Sequence, residues 1–458
     1  MTDSHAEVVI CGAGIAGIAT AYFLAVKAKV QNVVLLERDT PLAMTSDKST
    51  ECYRNWWGGS DNAMVGLMNR SIDWLEVIAN ETGNQIHLNR RGYVYATSDP
   101  AQIPKMREAA EIAEKNGAGK LRVHDSSASN YTPASAHGFE GGFDGTDLIL
   151  EVELIRAHFP ELAENVIAML HARRCGWFSA QQLGMYLLEQ AKVHGVKYIR
   201  GEVTGMNIRE GAVQGVQVTR DFETFTIQTE CFVNAAGPLQ NQVAKLMGLE
   251  LPIINERHMK LYFNDHLGVI PRNAPMLINL DEVHLPWADD EREVLESDES
   301  TRWLLGSFGS GAHCRPEGGD SSSNVLILCN YHTQATEPTF PIVHDPEAPE
   351  IALRAMSVLV PGLKRYFDHT PKPVMDGGYY TKTLENRPLI GELPVKGAYI
   401  IGAMGGFGLM AACGAGELLT AHITDAPLPE YARAFLPSRY EDPEYLRLLE
   451  TWGDVGQL

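Results

Sequence analysis

Residues 8–37 constrain this chain more than any other stretch. A short apolar strand, Val8–Cys11, runs into Gly12-x-Gly14-x-x-Gly17, then a helix, then a second apolar strand ending at Glu37. Gly12 permits the tight strand-to-helix turn, Gly14 lets the backbone approach a pyrophosphate, and Gly17 lets the helix pack close to the sheet. The helix N-terminus, at Ile15 and Ala16, offers N–H groups to phosphate oxygens. Glu37 follows Gly17 by 20 residues, where a carboxylate can accept from both ribose hydroxyls. Glycine-rich turns also occur in ordinary crossovers. The flanking strand, helix and acid mark this one as a dinucleotide site, with NAD and FAD both open.

At 458 residues the chain is long enough for two or three domains. Seven scattered cysteines form no CxxC pair, so neither a disulfide framework nor a structural metal is expected, and a reducing cytoplasm is the expected location. The net charge of −20 argues against nucleic acid, whose footprint is a basic stripe. No apolar run approaches the ~18 residues a membrane span needs, and no signal peptide is expected. The acidic run Asp289–Glu299 reads as a solvated loop or helix face.

Nucleotide-binding elements recur at the start, middle and end of the chain, with β-rich segments between them. The expected fold class is α/β. A Rossmann-like dinucleotide domain, with a parallel sheet and helices on both sides, carries an inserted β-rich α+β substrate domain. The expected boundaries are 1–85, 165–245 and 370–426 for the first domain, 86–164 and 246–369 for the second, and a surface strap over 427–458. Asn62–Thr82 is apolar at helical spacing. Ala212–Val218 and Phe222–Gln228 read as a hairpin, Met259–Phe263 and Val325–Leu328 as strands, and Gly414–Ile423 as a helix fed by the loop Gly402–Gly408.

Three segments in this order resemble the flavoprotein family of D-amino-acid oxidases, sarcosine oxidases and dimethylglycine dehydrogenases. They are GAGIAGIATAYFL…LLE at 12–37, FVNAAGPLQNQVAKLMG at 232–248 and GGYYTKTLENRPLIGELPVKGAYIIGAMGGFGLMAACGAGELLTAHI at 377–423. The resemblance implies extended, non-covalent FAD. It places the pyrophosphate on Gly12, Gly14, Ile15, Ala16 and Gly17, the ribose on Glu37 beside Arg38, and the adenine against Val203. It lays the loop holding Ser46, Lys48, Ser49 and Thr50 near the pyrophosphate and isoalloxazine. Ala236 and Gly237 pass close to the cofactor, and Gly405, Gly406, Phe407, Gly408, Leu409 and Met410 face the ring.

By the same resemblance Arg54 falls on an arginine that grips a substrate carboxylate, a task suited to its two-pronged fork. An arginine paired to a phosphate or an acid is the structural alternative. His258 and Lys260 lie in a segment that runs beside the flavin in relatives, Tyr331-His332 and Tyr379-Tyr380 can line the pocket, and His313 and Arg315 are further pocket groups. Gly378 stands where sarcosine oxidases carry a flavin-linking cysteine, Cys52 where dimethylglycine dehydrogenases carry a linking histidine, and Met410 where the oxidases carry a substrate lysine. The expected activity is oxidation of the C–N bond of a carboxylate-bearing amine, a secondary or N-methylated amino acid, by hydride transfer to flavin N5. The electron acceptor is open among oxygen, a quinone and an electron-transfer protein, and so is the oligomeric state. A 2-hydroxy-acid oxidase and the flavin subunit of a larger electron-transfer assembly are the alternatives.

Overall fold

The computed structural model describes residues 4–57, 59 and 61–450. Its first layer is a six-stranded sheet in the order Lys197–Arg200, Val33–Glu37, Val8–Cys11, Phe232–Asn234, Ala398–Gly402, Leu389–Glu392. The first five strands are parallel and the last is antiparallel. Both central strands, Val8–Cys11 and Phe232–Asn234, are buried along their whole length, as the unbroken apolar runs of a parallel sheet require. Helices Ile15–Tyr22, Ala63–Glu81, Ala180–Val193 and Gly408–Ile423 pack together on one side. On the other side stands a smaller sheet built from Glu202–Arg209, the hairpin Ala212–Arg220 and Glu223–Gln228, and Ser4–His5.

The helix expected from Gly414 starts six residues earlier, at Gly408. Its inner glycines serve helix contacts: a Cβ on Gly414 would lie 2.8 Å from the Leu67 carbonyl oxygen, and one on Gly416 2.9 Å from the carbonyl carbon of Ala19.

A nine-stranded mixed sheet forms the second body, in the order Val374–Lys382, Ile254–Asn264, Asn324–Leu328, His313–Pro316, Met276–Asn279, Tyr93–Thr97, Ala168–Ala172, Thr146–Ile149, Leu121–His124. Ala168–Ala172 and Val374–Lys382, expected on the nucleotide side of the boundaries, are strands of this sheet. Period-two alternation divides its faces. Leu261, Phe263, Leu277, Val325 and Ile327 enter an apolar core under helix Ala348–Leu359. The opposite face carries Glu256, His258, Lys260, His313, Arg315, Tyr93 and Tyr95.

The Asp289–Ser297 helix buries no residue. The strap continues as short 3-10 turns and a helix over Pro443–Glu450, with Phe435 fully buried. Its last eight residues, Trp452 among them, lie outside the described residues. No helix among the described residues is long and apolar enough to cross a membrane.

Candidate active site

A groove of about 350 Å³ opens at the C-terminal ends of the parallel strands, where α/β sheets bind ligands. Cys11, Gly12, Gly14, Glu37, Arg38, Ser46, Val203, Ala236 and Gly237 line it, together with Leu42 and Met44. Gly14, Ser46 and Gly237 are shared with a second chamber of about 110 Å³ lined by Ile15, Ala16, Ser49, Tyr379, Tyr380, Thr381, Gly405, Gly406, Gly408 and Leu409. The two make one elongated trench from Val203 to Leu409.

Each glycine of the turn has a separate task. Gly12 has φ +105°, and a Cβ there would stand 2.5 Å from the Ala235 carbonyl oxygen. A Cβ on Gly17 would stand 1.9 Å from the Gly12 oxygen, so Gly17 packs helix on turn and does not line the groove. A Cβ on Gly14 meets only the Ser46 Oγ, at 3.3 Å, and would fill space a ligand can use. Gly14, the N-cap of the helix that follows, has no side chain to cap it; Ser46 Oγ does so from the loop, accepting from the Ile15 N–H at 2.9 Å. Glu37 accepts from the Ala13 N–H at 2.8 Å and the Asp39 N–H at 2.9 Å, one on each oxygen. Each carboxylate oxygen keeps a second lone pair for a hydroxyl donor. A long trench with a glycine cradle, an acid at one end and a helix N-terminus at its middle fits an extended dinucleotide.

The loop 45–51 forms the trench wall, and two buried cations hold it from beneath. Lys260 Nζ donates to the carbonyl oxygens of Ser49 and Asp47 at 2.8 and 3.2 Å. Arg315 donates to the Thr50 oxygen at 2.7 and 3.1 Å and pairs with Glu317 at 2.5 Å. Burial lowers the Lys260 pKa against the opposing pull of Asp376, Glu51 and Asp47. Lys48 and Thr50 do not line the trench. Lys48 pairs with Asp47 and Asp376 at 2.8 and 3.2 Å; burial works against its charge, and these partners outweigh it and raise the pKa.

At the Tyr379–Leu409 end the side chains sort into lining and support. Tyr380 lines the chamber and stacks on His258, ring centroids 3.8 Å apart. His258 lies beneath, between Asn330 Oδ1 at 3.0 Å and Glu256 Oε2 at 3.3 Å. Tyr379 also lines the chamber; its hydroxyl accepts from the Thr339 N–H at 2.9 Å and donates to the Thr339 oxygen. Phe407 and Met410 do not line it; both are buried in the helical core, Phe407 edge-on to Trp57 at 5.1 Å. Tyr331 is not brought to the trench. It packs on the apolar core of the opposite sheet face and donates to Asp345 at 2.8 Å, an acid His332 also contacts.

Arg54 ends the short strand Cys52–Arg54 and is 3% exposed. Its guanidinium donates to Tyr95 OH at 3.2 Å and lies 4.4 Å from the centre of the Trp57 ring. The Cys52 thiol is buried against Thr50 O at 3.2 Å and does not line the trench. Leu42 and Met44, which were not expected at the site, belong to the apolar run Pro41-Leu42-Ala43-Met44 that precedes the polar stretch 45–50, and that run is the signal that marks them.

A family model described as FAD dependent oxidoreductase matches residues 7–422. Mouse dimethylglycine dehydrogenase is 22% identical over 446 residues, covering 95% of this chain and 44% of that protein. The β subunit of sarcosine oxidase from Rhizobium meliloti (strain 1021) is 24% identical over 250 residues, covering 54% of this chain and 53% of that one. The chain spans 28% to 44% of the length of the dimethylglycine dehydrogenases it matches. Among solved structures, L-proline dehydrogenase from P. horikoshii superimposes with a TM-score of 0.73 at 21% identity, covering 96% of this chain and 98% of that one.

Proposed function

Because the chain belongs to the FAD dependent oxidoreductase family, we propose that it oxidises the C–N bond of a carboxylate-bearing amine, a secondary or N-methylated amino acid, with bound FAD as the acceptor of the hydride. The observation that carries this reading is the buried Arg54 guanidinium, held by Tyr95 and Trp57, with Trp57 in turn against Phe407 of the glycine-rich turn at the flavin end. A guanidinium suits a carboxylate because its fork can bond both oxygens, and ionic hydrogen bonds are strong in a water-poor surrounding.

The residues have distinct duties. Gly12, Gly14 and Ser46 hold the pyrophosphate stretch, and Glu37 the ribose. Ser49, Gly405, Gly406 and Gly408 border the ring, and Lys260 and Arg315 keep the 45–51 wall in place from below. Arg54 orients the substrate, while Tyr379 and Tyr380 exclude water from the chamber. The buried position of Cys52 supports non-covalent FAD. That relatives are named dimethylglycine dehydrogenase, sarcosine oxidase and L-proline dehydrogenase supports an amino-acid-like substrate.

The test is anaerobic bleaching of the holoprotein's flavin by glycine, sarcosine, L-proline and N,N-dimethylglycine, with L-lactate and D-lactate as hydroxy-acid controls. Bleaching by an amine, with the apparent KM raised about a hundredfold in Arg54→Met through loss of a charged hydrogen-bond pair, is the expected result. Bleaching by lactate alone overturns the amine reading.

A further inference from the structure

His313 sits at the centre of the polar face of the nine-stranded sheet and is 4% exposed. Its strand pairs His313 with Leu328 on one side and Ile278 on the other. Ile278 in turn pairs with Tyr95, the residue that holds Arg54. Neighbouring strands lie about 4.8 Å apart, so His313 and Tyr95 flank Ile278 roughly 10 Å from one another. The Arg54 guanidinium, reaching Tyr95 OH, comes down on the same face.

The charged groups at the middle of this face are already engaged. Lys260 and Arg315 donate to the carbonyls of the 45–51 loop, and both His258 nitrogens meet protein partners. His313 is different. Its Nδ1 is 2.7 Å from the Gly311 oxygen, which only an N–H can satisfy, so the proton is on Nδ1 and Nε2 carries the lone pair. Among the described residues Nε2 has no hydrogen-bond partner. Burial, then the neighbouring Arg315, Arg54 and His258 charges, holds the ring down to about 4 against the Gly311 bond, so it stays a neutral acceptor throughout the physiological range.

We propose that His313 is the amine-recognising residue of the site: with the substrate carboxylate on Arg54, Nε2 accepts a hydrogen bond from the substrate nitrogen. This rests on the amine reading above and narrows it. The amine must be neutral to give up a hydride, and in that state a primary or secondary amine still has an N–H while a tertiary amine has none. The N–H becomes more acidic as the C–N bond gains double-bond character, so the bond strengthens toward the transition state and acts on kcat. The substrate class is therefore a primary or secondary amino acid, and N,N-dialkylated amino acids are disfavoured.

The test measures anaerobic flavin bleaching of the holoprotein by sarcosine, L-proline and N,N-dimethylglycine, in the wild type, His313→Leu and His313→Gln. The wild type is expected to favour the secondary amines over the tertiary one by at least about tenfold in kcat/KM, the worth of one hydrogen bond to a buried acceptor. His313→Leu is expected to bring that ratio down toward one, and His313→Gln, which can still present an acceptor, to restore part of it. A merely structural histidine would change all three substrates alike. A wild type that takes N,N-dimethylglycine as well as sarcosine overturns the proposal even if no variant loads flavin, and so does an unchanged ratio in His313→Leu. A flavin bleached by lactate and by no amine overturns the amine reading itself.

Discussion

Lys260 Nζ lies 2.8 Å from the Ser49 carbonyl oxygen, tying the core of one sheet to the loop that walls the groove of the other. Buried, it has exchanged water for two backbone carbonyls, and removing it leaves both oxygens short of a donor. Hydrogen bonds to a charged group are worth about 1.5–3 kcal/mol each. Lys260→Met is expected to weaken FAD binding at least tenfold, read by titrating apoprotein with FAD and following flavin fluorescence. An unchanged dissociation constant would show that the loop holds its shape without the lysine.

The glycine turn separates folding from cofactor binding. Gly17→Ala forces a methyl to within 1.9 Å of a backbone oxygen, and no flexible side chain can give way, so several kcal/mol of stability should be lost. Gly14→Ala meets only the Ser46 hydroxyl. Its Tm in the apo form should stay within about a degree or two of the wild type, while FAD affinity falls sharply. Equal Tm losses in both variants would contradict this division.

Acid sensitivity follows from two buried imidazoles. Burial, then Arg173, pulls His171 down to about 3, and its Nδ1 faces both Tyr131 OH and Arg173 at 3.0 Å, a position for a lone pair and not a proton. His313 stands at about 4. In the unfolded chain both titrate near 6.5, so between pH 6.5 and 4 the unfolded state binds protons that the folded state refuses. Stability is fully present above pH 6.5 and falls as the pH drops, by up to about 1.4 kcal/mol per pH unit for each histidine. His171→Gln should flatten the decline of Tm over this window, and an identical slope would remove His171 as its source.

Local signals carried the nucleotide side. In 8–37 the strand, turn, helix and acid are all neighbours in sequence, so spacing alone assigns them. The second sheet is not legible this way. Tyr93–Thr97 pairs in parallel with Met276–Asn279, across a gap of about 180 residues that no local pattern encodes. The same limit affects side-chain roles. Tyr331 and His258 both sit in aromatic and charged surroundings in the sequence. Tyr331 lies past the end of the strand Asn324–Leu328 and reaches Asp345 on the far side, while the alternation within Ile254–Asn264 lays His258 under Tyr380. Glu256-x-His258-x-Lys260 did contain that alternation, with Leu261 and Phe263 as the opposite phase. Which phase faces the cofactor depends on the partner layer, and that is absent from the strand itself.

The strap closes on a buried carboxylate. Glu385 is 2% exposed, and its Oε1 accepts from Arg439 at 2.8 Å, Tyr440 OH at 2.7 Å and Tyr445 OH at 2.9 Å. Burial works to raise its pKa, but the Arg439 charge and these donors outweigh it and hold the carboxyl below its ordinary value. Arg439→Met leaves a buried charge without its cation, an arrangement that costs about 3–5 kcal/mol. The expected result is a Tm several degrees lower and faster proteolysis after residue 427 at neutral pH. Because the carboxylate is the stabilised form, the wild-type advantage should be present above about pH 4.5 and vanish as the pH falls through the lowered value. Glu385→Gln combined with Arg439→Met should recover part of the loss, since the stranded charge is then gone. A single Arg439→Met protein with wild-type Tm and protease resistance would mean that the strap is held by Phe435 and its apolar neighbours alone.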